Sequence, residues 1–370
     1  MGTRTLVGLG LACANQLAVA QCDPVLLGTA DTPNYCACVS LEGGIALVSD
    51  GPGGLLVMDV SDPTDPHVVG SLPPIFDVGG VLAYGDLGLL GDQGLHVVDI
   101  SDPSQPTSVG WCATPGTGGG GGLVADGDLV YLGDGDGGLQ VISISDPSNP
   151  VVVGNYDSTG WSRGLALRES LILVADGDAG LLILDVSDPT VPALVGAIDT
   201  PGSASDVDIV GSIAFVADLY SGVQVIDISD PSAPTLVASF ATGDRAEWIV
   251  AHEGMAFVAD DSAGLKIIDI FDPLHPALVG SYQTLGNAEV VVVSEHVFVA
   301  DQQFGLQVLD VGSCLPCPAD LTEDGEVDTL DFLLFLGAWA QHNPLADWDG
   351  NGVINTLDFL VYLNAWAAGC

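Results

Sequence analysis

The 370-residue sequence predicts an all-β ring of seven four-stranded sheets, followed by a small all-α module. Three observations carry this. A phrase of the form Gly-Leu-x-Val-Ile-Asp-Ile, Ser-Asp-Pro-x-x-Pro, Leu-Val-Gly recurs along the chain. Its Asp-Pro pairs fall at Asp62, Asp102, Asp146, Asp188, Asp230 and Asp272, 40 to 44 residues apart. A seventh Gly-Leu-x-Val-Leu-Asp-Val run occupies 305–311, with no Ser-Asp-Pro after it. Beyond 317 the phrase stops and a 27-residue duplication begins. A period near 42 with purely β patterning denotes a radial or stacked β array, and seven units point to closure.

Residues 1–20 read as a secretory signal. Arg4 gives the positive start, Leu6 to Ala14 is largely apolar, and Ala18-Val19-Ala20 supplies a small-residue cleavage site before Gln21. Gln21 stands where a lipoprotein needs a small residue before Cys22, which argues against lipidation. The expected locale is therefore secreted or cell-surface, with no membrane span in the mature chain.

The segment Pro24-Val25-Leu26-Leu27-Gly28 matches Pro192-Ala193-Leu194-Val195-Gly196, the fourth strand of a repeat. It is an orphan fourth strand at the N-terminal end, and the seventh unit ends after its third strand. If strand 24–28 completes that unit, the ring closes without a long exposed edge.

Residues 203–240 serve as the template repeat. Val207–Val210, Ile213–Ala217, Val223–Ile228 and Thr235–Phe240 are short β-rich runs separated by Gly, Asp and Pro, which is a four-stranded blade. The paired prolines belong in the turn between strands three and four, because proline cannot donate to a sheet ladder. Asp50, Asp92, Asp134, Asp176, Asp218, Asp260 and Asp301 end strand two of each unit; the expectation is that each caps its own tight turn.

With these phrases in view, above all Gly222-Leu/Val-type runs such as 222–228 and Ala277-Leu278-Val279-Gly280-Ser281, the repeats resemble the LVIVD-type seven-bladed β-propellers over roughly 24–312. The resemblance implies an extracellular or surface repeat protein without known enzymatic activity. The domain reading is signal peptide 1–20, propeller 21–313 and C-terminal module 314–370.

The module carries two copies of one acidic loop. The first offers Asp320, Thr322, Asp324, Glu326, Asp328 and Asp331; the second offers Asp347, Asp349, Asn351, Val353, Asn355 and Asp358. Oxygen side chains fall at loop positions 1, 3, 5, 9 and 12, with Gly325 and Gly352 at position 6. Position 7, Glu326 or Val353, is expected to give its backbone carbonyl. This is a calcium-loop pattern, in which a hard cation needs six to eight oxygens on a tight turn. Two calcium ions are expected. Each loop runs into an apolar segment, 329–340 and 356–367, with Leu330/Leu357, Phe332/Phe359, Leu333/Leu360, Leu336/Leu363 and Trp339/Trp366 in matching places.

Asp at position 12, and one helix after each loop, make the module similar to dockerins. Its Cys-Pro-Ala-Asp start and Ala-Ala-Gly-Cys end resemble the GC-type dockerins of exported planctomycete-like bacterial proteins. The resemblance implies calcium binding and a cohesin-like or other surface-anchoring partner. Positions 10 and 11 are Thr329-Leu330 and Thr356-Leu357, and the helices carry no Lys or Arg, whereas cellulosomal dockerins usually present hydroxyl and basic residues there, so the cohesin partner does not follow directly.

Composition narrows the function classes. The net charge is −44, and only Arg163, Arg168, Arg245 and Lys266 are basic outside the signal. Such a field excludes nucleic acid and anionic membrane as partners and favours solubility, as in a saline medium. Seven cysteines lie beyond the signal, which suits an oxidised, exported protein. Cys22–Cys314 would staple the ring and Cys317–Cys370 would clasp the module, but connectivity does not follow from sequence.

No catalytic motif appears. Gly118 to Gly122 lacks a phosphate-loop Lys-Ser/Thr, and His67, His96, His252, His275, His296 and His342 are scattered. Departures from the repeat are more informative. Trp161 and Arg163 precede blade four, and Arg245, Glu247 and Trp248 precede blade six, where loops ring one mouth of the channel. Aromatic plus Arg is a recognition pair for a protein or glycan. The chain thus reads as a secreted, non-catalytic interaction module, docked through its tail. The alternatives are an extracellular hydrolase or lyase working in the channel, which would need a cluster of His, Glu and Arg that the sequence does not display, and a structural cell-surface component.

Overall fold

In a computed structural model, the structure describes residues 22–73, 79–91, 93–117, 121–312, 314, 321, 329–341, 346 and 354–368. The signal segment, Asp92, Cys317 and Cys370 lie outside them. Strand β1 spans Val25–Ala30. Blade one holds β2 (Cys38–Glu42), β3 (Ile45–Ser49), β4 (Leu55–Asp59) and β5 (His67–Leu72). Blade two holds β6 (Gly80–Tyr84), β7 (Leu87–Gly91), β8 (Gly94–Asp99) and β9 (Thr107–Ala113). Blade three holds β10 (Leu123–Asp126), β11 (Leu129–Gly133), β12 (Leu139–Ser143) and β13 (Val151–Tyr156). Blade four holds β14 (Leu165–Arg168), β15 (Leu171–Ala175), β16 (Leu181–Asp185) and β17 (Ala193–Ile198). Blade five holds β18 (Asp206–Val210), β19 (Ile213–Ala217), β20 (Val223–Asp227) and β21 (Thr235–Phe240). Blade six holds β22 (Trp248–His252), β23 (Met255–Ala259), β24 (Leu265–Asp269) and β25 (Ala277–Tyr282).

Blade seven is assembled from both ends of the array: β26 (Ala288–Val293), β27 (Val297–Asp301) and β28 (Gly305–Asp310), completed by β1 in the order β1-β28-β27-β26. β1 runs antiparallel to β28, with Val25 opposite Asp310 and Ala30 opposite Leu306. The innermost strands touch in succession from β2 round to β26 and back to β2. The protein is a closed seven-bladed propeller, with the one-plus-three closure that the chain ends predict.

Central strands carry the core. Leu47, Val57, Leu89, Val97, Leu132, Val141, Ile183, Val225, Phe257 and Ile267 are fully buried. Consecutive residues of one strand, such as Ala46, Leu47 and Val48, are equally buried although they point to opposite faces, so the blades are apolar on both sides and pack against two neighbours. A fully buried Leu or Phe side chain contributes roughly 1.5–3 kcal/mol.

The recurring Gly of the outer strand has a specific cause. A Cβ on Gly70 would lie 2.1 Å from the carbonyl oxygen of Pro103, and one on Gly196 would lie 2.2 Å from that of Pro231. Gly28 meets Pro63, Gly110 meets Pro147 and Gly154 meets Pro189 in the same way. The Ser-Asp-Pro turn of each blade therefore rests on the outer strand of the blade before it. Within the turn, Asp62 Oδ1 accepts from Thr64 N at 2.9 Å and from Thr64 Oγ1 at 2.7 Å, and the pattern repeats at Asp102, Asp146, Asp188 and Asp230.

At Gly280 the proline turn is missing, and Cys22 Sγ stands 2.2 Å from the Cβ position with Cys314 Sγ at 3.3 Å. Cys22 and Cys314 form a disulfide. Cys22 N also donates to Val279 O at 2.7 Å. Aligning Pro24 with Pro66 sets Cys22 level with Thr64, and aligning Val311 with Val60 sets Cys314 level with Pro63. Gly312 N donates to Asp310 Oδ1 at 2.8 Å, as Ser61 N does to Asp59 Oδ1 at 2.9 Å. The sulfur bridge thus spans the gap that a peptide bond spans in the other turns.

In the C-terminal module, α1 (Thr329–Ala340) and α2 (Thr356–Ala368) form a pair. Phe335 stacks on Tyr362 with centroids 3.9 Å apart, and Phe332 packs against Phe359 and Trp366. Phe335 and Tyr362 are themselves 27 residues apart, so the duplication is realised as a symmetric aromatic core. No helix among the described residues is long and apolar enough to cross a membrane.

Candidate functional site

Loops from strand four to the next strand one, and turns from strand two to strand three, lie on one face. Short bridges join them from blade to blade: Gly177 with Ala204, Leu219 with Ala246 and Asp261 with Ala288. The strand-two aspartates hold this face together by a route not anticipated. Asp218, fully buried, accepts from Thr200 Oγ1 at 2.7 Å and from Gly202 N at 2.8 Å. Asp134 does the same with Thr114 and Gly116, Asp176 with Ser158 and Gly160, and Asp260 with Thr242 and Asp244 N. Each carboxylate pins the preceding interblade loop, 16 to 20 residues upstream. The expectation that it caps only its own turn is corrected here: the turn is framed by backbone bonds such as Ser221 N to Asp218 O at 3.0 Å, which frees the side chain for the loop.

At the centre of this face a cavity of about 390 Å³ opens into the channel. Among its lining residues are Ala37, Gly79, Gly121, Arg163, Ser205, Glu247 and Glu289. These are one residue per blade, each 42 after the last. The seven equivalent positions divide into two arcs. Blades one to three present Ala, Gly and Gly; blades four to seven present Arg, Ser, Glu and Glu. Tyr35, Cys38 and Trp248 add two aromatic rings and a thiol to the wall.

The polar arc is wired together. Arg163 Nη1 donates to Ser205 Oγ at 3.0 Å and lies 3.7 Å from Glu247 Oε2. Arg245 Nη2 is 2.6 Å from Glu247 Oε1, and its Nη1 is 3.5 Å from Asp261 Oδ2. The Arg245 guanidinium also stands 5.8 Å from the Tyr220 ring centroid, within cation–π range. Glu289 accepts from the Gln302 side-chain amide. Burial raises the Glu247 carboxyl above its ordinary range, opposed by Arg245 and Arg163. Burial, and then the charge of Glu247, raises Glu289.

Deeper on β18, Asp206 and Asp208 accept from Ile249 N at 2.9 Å and Ala251 N at 2.8 Å, tying blade five to blade six. Burial drives Asp206 well above the carboxylate range and raises Asp208 as well. The Cys38 thiol is likewise pushed up by burial, to about 11, so it faces the cavity as a neutral thiol rather than a thiolate.

Four of the five residues singled out by sequence meet here. Arg163, Glu247 and Trp248 line the cavity, and Arg245 braces Glu247 from outside it. Trp161 stays on the rim, outside the lining set, over Gly177. The sequence reading found no channel cluster. The structure assembles one of Arg, Ser and two Glu, without histidine. Ser205 and Glu289 were missed, although a step of 42 residues on either side of Glu247 reaches both.

In the tail, Asp331, Asn355 and Asp358 are described; the other expected calcium residues lie outside the described residues. Asp331 and Asp358 are fully buried in the first turn of their helices. Asn355 N donates to Asp358 Oδ2 at 2.7 Å. These carboxylates stand at the start of two otherwise apolar helices, in a module without Lys or Arg, and are hard oxygen donors of the kind calcium takes; among the described residues no three metal-ligating side chains cluster. Residues 320–331 and 347–358 would hold the two ions. Burial, then Asp331, pushes the Tyr362 phenol up to about 12.

The LVIVD repeat pattern matches residues 35–73, 77–114, 118–158, 159–200, 201–242, 243–284 and 285–329. The chain belongs to the LVIVD-repeat family. The seven matched units advance in step with the seven blades, each beginning in the loop ahead of strand one. No curated protein matches the chain. Among solved structures, the computationally designed protein Ika8 is similar in fold, with a TM-score of 0.57 and 12% identity over 78% of this chain and 96% of that one. The LVIVD assignment fixes the repeat unit, so the channel mouth can be compared position by position between blades.

Proposed function

We propose that this LVIVD propeller is an exported, non-catalytic recognition module that binds a protein or glycan ligand at its channel mouth. The C-terminal module holds two calcium ions and docks the chain to a cohesin-like or other surface-anchoring partner. The observation that carries the reading is the division of seven equivalent positions into a small arc and a polar arc. A ring that served only as scaffold has no use for that asymmetry. The small arc leaves room, while the polar arc and the Tyr35 and Trp248 rings supply the contacts typical of a built site. The buried Asp331 and Asp358 support the calcium reading of the tail.

The test is binding of the intact chain to arrayed peptides and glycans, in parallel with Arg163→Ala. A ligand that is retained by the native protein and lost by the variant supports the mouth as the recognition site. One observation favours a catalytic alternative: Glu247 and Glu289 are neighbouring carboxyls with raised pKa values, a common arrangement for acid–base chemistry. Turnover of any arrayed ligand that disappears in Glu247→Gln would replace the non-catalytic reading with a hydrolase or lyase.

A further inference from the structure

The charges around the cavity do not cancel evenly. Arg163 and Arg245 are both engaged by Glu247, and Arg245 also by Asp261. Glu289 is different. Its hydrogen-bond partner is the neutral amide of Gln302, and no ion pair among the described residues includes it. It faces the cavity beside a second carboxylate, in a chain of net charge −44. An anion in a half-dry site is costly unless a cation compensates it. The cavity, at about 390 Å³, is large enough for an extended side chain or small amine. The small arc at Ala37, Gly79 and Gly121 widens the approach to Glu289, with Tyr35 and Cys38 as the larger side chains that blade one adds to the wall. Trp248 offers an indole in the same wall, the aromatic group on which cations bind best.

We infer that the ligand of the channel mouth presents a primary ammonium group, such as a lysine side chain, that is seated on Glu289 with the Trp248 indole beside it. This rests on the reading of the mouth as a recognition site and adds the chemical class of its ligand. Arg163 and Ser205 are then left to meet an oxygen acceptor on the same ligand. A lysine-bearing peptide carries both groups, since its ammonium and its backbone carbonyls lie a side chain apart. The strongly negative field of the molecule draws such a ligand to the mouth at rates that fall with added salt.

The experiment is calorimetric titration of the full chain with Nα-acetyl-lysine methylamide and with its uncharged isostere, Nα-acetyl-norleucine methylamide. A chelator is present so that divalent ions do not compete. The lysine probe is expected to bind at least about tenfold tighter than the norleucine probe, the size expected of a charge-assisted contact. Glu289→Gln should erase that difference and Glu289→Asp restore part of it, with unfolding temperatures close to native in both. Equal affinity of the two probes, no binding of either at millimolar concentration, or a lysine preference that survives in Glu289→Gln would each overturn the inference. A ligand from the arrays that depends on Arg163 but ignores Glu289 would sink the ammonium assignment and leave the recognition site standing. Loss of every mouth ligand would remove both.

Discussion

Cys22 and Cys314 face each other across the ends of the propeller and are bonded, 292 residues apart in sequence. Their sulfurs fill the slot against Gly280 that a Ser-Asp-Pro turn fills at Gly28, Gly70, Gly110, Gly154 and Gly196. The bridge is therefore both a covalent closure and a packing element. Cys314→Ser should lower stability by about 2–5 kcal/mol. Thermal unfolding with and without reductant checks this: the reductant should move the native chain and leave the variant unmoved. An unchanged native curve under full reduction would contradict the seam role.

The outer-strand glycines are expected to be intolerant for steric reasons. Gly196→Val drives a side chain into the Pro231 carbonyl and should cost about 1–3 kcal/mol through overpacking. Gly211 is the control. Its φ of +58° suits asparagine nearly as well as glycine, and nothing lies within 4 Å of its Cβ position. Gly211→Asn should be close to neutral. Similar unfolding midpoints for the two variants would refute the turn-on-strand account.

Asp218 should matter for the face it pins. Asp218→Ala removes the acceptors for the buried Thr200 hydroxyl and the half-buried Gly202 N–H, at a cost of about 1–3 kcal/mol. Asp218→Asn keeps one acceptor oxygen and should lose less. Amide exchange at Gly202 reports the loop directly and should quicken in Asp218→Ala before global unfolding does.

Much of this architecture was legible in the sequence. The six Asp-Pro turns together with the 305–311 run gave the blade count, and Pro24 to Gly28 gave the closure, because β repeats state their register in every copy. The partner of Cys22 was open from sequence, since pairing depends on which ends meet in space. The mouth was half legible. Trp161, Arg163, Arg245 and Trp248 broke the pattern by their rarity in an acidic chain, and Glu247 stood out through its place between Arg245 and Trp248. Ser205 and Glu289 did not, because a serine or glutamate is unremarked in such a composition until the blades are superimposed. The role of Asp218 was hidden for another reason: its partners Thr200 and Gly202 belong to the preceding loop, and a carboxylate beside a tight turn has a local explanation ready.

Asp206 predicts a pH dependence. Burial lifts its folded pKa well above the unfolded value of about 4, so the folded chain holds the proton more tightly. The stability linked to that proton is complete below the unfolded pKa and is lost as pH rises through the folded one. Asp206→Asn keeps an oxygen for Ile249 N and cannot ionise. Its unfolding temperature should exceed the native one at about pH 8 and match it at about pH 4. A native-minus-variant difference that stays constant with pH would show that Asp206 is not the group responsible.

Calcium should organise the tail. Titration of the full chain in the presence of a reporter of Trp339 and Trp366 environment is expected to saturate at two ions. Asp331→Ala and Asp358→Ala should each remove one, because position 12 of each loop lies in the first turn of its helix. Chelation should loosen the Phe335–Tyr362 stack while the propeller unfolding transition stays in place. Binding that persists in both variants together would dismiss the loop assignment.

The position of the seam also bears on where a chain of this kind can begin. Cys314 stands level with Pro63 and Cys22 with Thr64, so the disulfide replaces a single backbone link in an otherwise uniform circle. Topologically the propeller is a loop cut at one of seven equivalent turns. A circular permutant with residues 22 and 314 fused through a short peptide, and new termini opened at the Asp188–Thr190 turn, should fold to the same ring, with its start moved three blades round.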